Sequence, residues 1–179
     1  TVFTTLGNNV CSNMFNRCSS LTMLPQLPSL NLGSSCYESM FNRCSSLTVV
    51  PTNYLPATTL ANNCYTSMFS YCTSLATAPE LPATTLADYC YYQMFYQCSG
   101  MTSAPSELPA TTLADSCYSG MFTWCSSLTT TPILSATTLV DSCYSYMFQW
   151  CYSVNNITCL ATSGIDSNDS TKNWVSSVA

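Results

Sequence analysis

The sequence predicts an α/β repeat protein: a solenoid of about six units, each pairing a short helix with a short extended segment. Three observations carry this. First, a Met-Phe pair returns at 14-15, 40-41, 68-69, 94-95, 121-122 and 147-148, so the Met spacings are 26, 28, 26, 27 and 26 residues. A unit of that size cannot bury a core alone and must stack on its neighbours. Second, Leu86, Cys90, Met94 and Cys98 fall four residues apart, which on a helix makes one apolar stripe, with Phe95 beside it. Third, each of the first five helical stretches is followed by a turn and a proline.

Within each unit the helix start has its own signal. Thr85-x-x-Asp88, Thr112-x-x-Asp115 and Thr138-x-x-Asp141 have capping-box spacing, with Asp in the place of Glu. The acidic residue also suits the positive end of a helix dipole. Eight residues before each Met stands Leu6, Leu32, Leu60, Leu86, Leu113 or Leu139. Cysteines occupy the position four before the Met in every unit but the first, which has Val10, and four after it in all six. Ser-Ser-Leu-Thr followed by proline (Pro51, Pro132 and their equivalents) reads as a turn leading into an extended segment. The array, residues 1–158, is thus centred on Met14, Met40, Met68, Met94, Met121 and Met147. Residues 159–179 are expected to form a C-terminal cap, or to open a following segment, with Gly164 to Lys172 loop-like and Trp174-Val175 as an apolar lid.

Composition narrows the function. Charged residues make up 6% of the chain and the net charge is −5, with Arg17, Arg43 and Lys172 the only cations, which leaves nothing to neutralise a phosphate backbone. Nucleic acid is therefore excluded as a partner. No run approaches the ~18 apolar residues of a membrane helix, so this segment is expected not to insert. The chain begins without Met or a signal pattern, and Thr4-Thr5-Leu6 already reads as the end of an Ala-Thr-Thr-Leu. It is expected to be a piece of a longer array whose address lies elsewhere.

Thirteen cysteines raise metal and disulfide readings. Seven residues separate the recurring partners and histidine is absent, which is not zinc spacing, so no metal and no cofactor are expected. Two cysteines eight apart on a helix would lie about 12 Å from each other, too far to bond. Equivalent cysteines of stacked units would lie about 5 Å apart, which permits a bond without demanding one. Val10 in the first unit favours packing thiols, since Val replaces a packed thiol and not a disulfide partner. Disulfides would still be expected in an oxidising compartment. Without histidine there is no Ser-His-Asp or Cys-His arrangement, and the eight carboxylates are scattered, so no catalytic residues are assigned.

The positions that vary are the candidate site. Three residues after each Met stand Arg17, Arg43, Tyr71, Gln97, Trp124 and Trp150, off the core stripe and expected to face outward. Arg, Tyr and Trp are the types most enriched in binding hot spots. The tyrosines three before the Met (Tyr37, Tyr65, Tyr91, Tyr118, Tyr144) do not vary and are read as packing. Asp169-Ser170-Thr171 has the form of a short O-glycosylation signal, expected in an exposed loop.

The run Met-Phe-x-x-Cys-Ser-Ser-Leu-Thr at 121–129, with Leu-Pro-Ala-Thr-Thr-Leu at 81–86 and 108–113, resembles the repeats of BspA-like leucine-rich-repeat surface proteins of gut Bacteroidetes. Met stands where that family has Ala, and about one extra helical turn precedes it. The resemblance implies a right-handed leucine-rich-repeat solenoid, with short strands on one side and helices on the other. It also implies a cell-surface or secreted adhesion module that binds a protein or glycan, such as a host surface or extracellular matrix, with no catalytic residues. The alternative is a structural spacer or assembly component of a surface filament, fibre or phage particle, for which low charge and stackable edges would suit self-association.

Overall fold

The computed structural model describes residues 5–178. Repeat units stack as expected, but the expected helices are absent. Among the described residues there is no α-helix, and the strands are β1 (Glu107–Leu108) and β2 (Ile133–Leu134), paired in parallel with Glu107 opposite Ile133 and Leu108 opposite Leu134. The α/β leucine-rich-repeat solenoid is therefore not the fold of this chain.

In place of each helix is a run of overlapping tight turns. In the first layer the amides of Ser12, Met14, Asn16 and Cys18 donate to the carbonyls three residues back. The alternate amides, of Asn9, Cys11, Asn13, Phe15 and Arg17, donate instead to Ser34, Cys36, Glu38, Met40 and Asn42 of the next layer, at 2.7–2.9 Å. The same alternation repeats in the next five layers. An α-helix sends all its amides along its own axis to the residue four back. Here half of them are turned sideways, and the backbone itself joins one layer to the next.

Turning them requires a left-handed residue at every fourth position. Asn9, Asn13 and Arg17 have φ of 60°, 59° and 64°; Asn63, Ser67 and Tyr71 follow with 57°, 52° and 61°. In the turn closed by Cys11 and Met14 the third residue, Asn13, carries the positive φ that a type II turn requires. Asn and Ser fill both of the first two positions in the first three layers and the first position in the fifth and sixth, while the fourth has Tyr89 and Gln93. Asn is among the residues that enter this conformation most readily, and both favour turns through local hydrogen bonds. The capping-box carboxylates find a different use. Asp88 accepts the amide of Asp115 in the next layer at 3.2 Å, and Asp141 accepts Asn168 Nδ2 at 2.6 Å.

Two residues in four then face inward. The Cys-Tyr-x-x-Met-Phe-x-x-Cys cassette buries Cys90, Tyr91, Met94, Phe95 and Cys98 to 1% exposure or less. Leu86, expected in the same ladder, precedes the turn run and is only half-buried, whereas its equivalents Leu60, Leu113 and Leu139 are buried. Phe rings stack from Phe15 through Phe148 with centroids 5.6–5.8 Å apart. Tyr37 to Tyr144 form a second column at 5.6–6.0 Å. Each such ring pair contributes about 0.5–1.5 kcal/mol beyond its buried area. Cys11 stands at the head of the tyrosine column, since its amide meets Cys36 as that of Tyr37 meets Cys64.

The opposite wall is extended. Leu81 and Ala83, Leu108 and Ala110, and Leu134 and Ala136 alternate inward with period two and are all buried. Parallel bridges link Thr59 to Thr85, Thr77 to Ser103, Ser103 to Thr130, and Leu134 to Cys159. Tyr54, in the longest unit, fills the extra space by tilting against Phe41 at 6.4 Å and donating its hydroxyl to the Pro25 carbonyl.

The stack does not stop at residue 158. Tyr144, Tyr146, Phe148 and Trp150 donate to Ser170, Lys172, Trp174 and Ser176 in unbroken register, so residues 167–178 are a seventh turn run rather than a loop and lid. Ser170, Thr171, Trp174, Val175 and Val178 take the places of Cys, Tyr, Met, Phe and Cys. Trp174 closes the tyrosine column 6.3 Å from Tyr144. Gly164 opens this layer with φ 76°, and a Cβ there would collide with the Leu139 backbone. Ser170 and Thr171, the expected exposed modification signal, are 0% and 9% exposed and are hydrogen-bonded to Gly164 and Asp166.

The left-handed turn run predicts an unusual response to glycine. Ser39→Gly (φ 53°) relieves about 1–2 kcal/mol of steric cost and gives back about 0.5–1 in unfolded-chain entropy. The variant should be as stable as the parent or up to about 1.5 kcal/mol more so by denaturant titration, and the far-ultraviolet dichroism of both should lack the helical double minimum. On a helix the same change would destabilise by about 0.5 kcal/mol.

Candidate functional site

The turn runs present two outward positions to solvent for every two they bury, and the chemistry of the outer pair changes from layer to layer. Arg17, Arg43, Tyr71, Gln97, Trp124 and Trp150 all lie on this face, one per layer, and all six have positive φ, from 56° to 64°. Spacing alone puts them in one row. Their shared left-handed backbone gives no signal in the sequence, because Arg, Tyr, Gln and Trp do not favour it.

Contacts run along much of the row. The Arg43 guanidinium sits 4.2 Å from the Tyr71 ring centroid, a cation–π distance. Tyr71 meets Tyr96 edge to face at 5.4 Å, and the Gln97 amide reaches the Tyr96 hydroxyl at 3.5 Å. Trp124 and Trp150 are in tilted contact at 4.4 Å, with Tyr152 edge-on to Trp124 at 6.3 Å. Arg17 and Arg43 are exposed; the other four are half-buried. Tyr96 and Tyr152, outside the six candidates, thus belong to the same surface.

Hydroxyls beside the row brace it. Ser70 and Thr123 donate to the carbonyls of Gln93 and Tyr146 in the following layers, and Ser145 donates to that of Asp169. Each accepting carbonyl belongs to a left-handed residue, so the bond pins the backbone that positions the outer side chains. The row is held from beneath by the layer register, not by its own mutual contacts alone.

All thirteen cysteines are free thiols, and ten of them are buried on the inner side. Five of them, Cys44, Cys72, Cys98, Cys125 and Cys151, donate Sγ–H to the Phe carbonyl one layer back at 3.0–3.2 Å. Those carbonyls already accept one amide, and the thiol takes the second lone pair. Cysteine here is both a small apolar filler and a donor, which Val or Ala could not be. Burial pushes Cys36, Cys90 and Cys151 up to about 12 and Cys44 and Cys143 up to about 11, while Cys98, Cys117 and Cys125 stand well above their ordinary value. These are protonated, unreactive groups with no nucleophilic or ligating character at neutral pH. Among the described residues no three of Cys, Asp, Glu and His gather as a metal site, and no helix is long and apolar enough to cross a membrane.

The raised thiols make stability depend on alkali. In the unfolded chain they ionise around 9.0, and in the folded chain only near 11–12 or above, so the folded state holds more protons between those limits. Their contribution is complete below pH 9 and is lost as pH rises toward 12; the buried tyrosines act with the same sign. The denaturant midpoint should therefore fall steadily above pH 9, and a flat midpoint through that window would contradict the buried-thiol account. In the native protein at neutral pH, iodoacetamide should modify Cys18, Cys11 and Cys159 and spare the ten buried cysteines, as peptide mapping would read.

Comparison of the chain with protein-family models and with curated proteins finds no match.

Proposed function

We propose that this chain is a binding module of an extracellular or cell-surface protein, recognising a protein or glycan through the outer face of its turn runs, and that it performs no catalysis. The observation that carries this reading is the contrast between the two faces. Inside, Cys, Tyr, Met and Phe repeat almost without change; outside, the position three after the Met runs through Arg, Tyr, Gln and Trp. Large side chains in left-handed backbone cost free energy, and such cost concentrates at functional positions. Asn or Ser, as turn chemistry favours, fills most of the first and second left-handed positions of the first six layers but none of their third positions, so the third is where the local preference is overridden throughout.

Support also comes from the types involved. Half-buried Trp124 and Trp150, braced against each other, lose little conformational entropy when a ligand covers them. The motif resemblance to BspA-like surface repeats points to the same class of role. The chain, immobilised and probed with mucins, extracellular-matrix proteins and a glycan array, should bind at least one ligand saturably. Trp124→Ala with Trp150→Ala should weaken that binding by about tenfold or more, the scale of a hot-spot pair. Unchanged affinity in the double variant would remove the site assignment, and no binding to any probe would favour the spacer or assembly role.

A further inference from the structure

One layer of the outer face differs from its neighbours in size. The fifth layer presents Ser119, Gly120 and Thr123 at positions where the fourth has Tyr92, Gln93 and Tyr96 and the sixth has Ser145, Tyr146 and Gln149. Gly120 is the only glycine at the second left-handed position of any layer; the others have Asn13, Ser39, Ser67, Gln93, Tyr146 and Asn173. With three small side chains between taller ones, the surface drops into a notch of about 180 Å³. Ser119, Gly120 and Thr123, all buried, form its floor. Tyr92 and Tyr96 stand on one side and Tyr146 and Trp150 on the other.

We propose that this notch is a subsite for a single neutral saccharide ring, an assignment that rests on the binding reading above and names its ligand class. Three features select that occupant. The volume is below the roughly 300–1,000 Å³ of pockets for drug-sized ligands, so it admits one ring rather than a folded epitope. Aromatic residues wall both sides across two layer spacings, about 10 Å, which suits the C–H faces of a saturated ring. Gln93 and Gln149 bring amide donors and acceptors for ring hydroxyls, while no lining residue carries a charge. An anionic or cationic ligand would leave its charge unpaired there.

Gly120 also supplies the test. Its backbone conformation, φ 63°, is one that Ser39, Ser67 and Gln93 adopt in other layers at 53°, 52° and 50°. A Cβ at Gly120 comes close only to the flexible Gln93 Cγ, at 3.1 Å, and makes ordinary contact with Thr123 Oγ1 at 3.5 Å and Gln93 Nε2 at 3.8 Å. Gly120→Ser should therefore fold and leave the notch largely open, whereas Gly120→Gln should fold and fill it. The full chain and both variants would be titrated with the methyl glycosides of glucose, galactose and N-acetylglucosamine, following tryptophan fluorescence, and applied to an array of neutral and acidic glycans. The expected result is neutral-glycan binding in the parent and Gly120→Ser, weakened about tenfold or more in Gly120→Gln. Neutral-glycan binding retained by Gly120→Gln, or binding confined to acidic glycans, overturns the subsite. So does a parent that binds no glycan but holds a matrix protein lost in the Trp124/Trp150 double variant; that outcome leaves the broader binding reading standing. Binding to no probe at all overturns both.

Discussion

The structure depends on one arrangement of the backbone: along each turn run, amides alternate between the chain's own turn and the adjacent layer. Five amides per layer cross to the next, at 2.7–3.1 Å throughout. Such a bond is worth about 0.5–1.5 kcal/mol net, but the cost of leaving a buried amide unpaired is larger, so the pattern is enforced by the absence of any other partner. Everything else in the fold follows from keeping those bonds. The left-handed residue at every fourth position turns the alternate amides outward along the stack. The repeat length can vary between 26 and 28 residues because the extra residues enter the corners, where Tyr54 and its loop absorb them, and not the turn run.

That backbone spacing also dictates the side chains. Layers joined by direct backbone hydrogen bonds lie about 5 Å apart, so equivalent side chains are forced into contact with their own copies. Flat rings satisfy this well, and the Phe and Tyr columns have centroids 5.6–6.0 Å apart. Thiols satisfy it too, since a small group can fit under the neighbouring layer and donate to its carbonyl. One column does hold like charges, with Asp88, Asp115 and Asp141 in successive layers, and there bonds to the next layer offset the repulsion: Asp88 accepts the Asp115 amide and Asp141 accepts Asn168 Nδ2. Glu80 likewise accepts from the amide and hydroxyl of Ser106 in the next layer.

The same register makes the outer face a set of parallel rows, each entry of which can change without disturbing the frame. A wide residue meets its neighbour, as Trp124 meets Trp150, and a small one leaves a gap, as at Gly120. Surface relief on this protein is thus written one residue per layer. This outer face is held in place from beneath, because its αL backbone is bonded both to its own turn and, through Ser70, Thr123 and their equivalents, to the layer beside it.

The repeat period, the membership of Cys90, Met94, Phe95 and Cys98 in the core, and the outward row from Arg17 to Trp150 were all legible in the sequence, because each rests on spacing and spacing survives any local geometry. Which local geometry was not. Apolar residues at intervals of four drift only about 40° per step on a helix, so the Leu86-Cys90-Met94-Cys98 stripe suits an α-helix nearly as well as a turn run of period four. Helices pack 8–10 Å apart, however, while the Leu-x-Ala wall on the other side stacks at strand spacing, and a thin layer on both sides lets every backbone group find a partner. One local sign pointed that way: Asn and Ser recur at the left-handed positions, and strong helix formers are scarce in the runs. The seventh layer was hidden for a related reason, since Ser170, Thr171 and Trp174 depart from the Cys, Tyr and Met of the motif and are matched to Cys143, Tyr144 and Met147 by the hydrogen-bond register. The sequence by itself determined the period and which residues face in or out; the tertiary structure decided the backbone that carries them, because the choice between helix and turn run is made by the distance to the next layer.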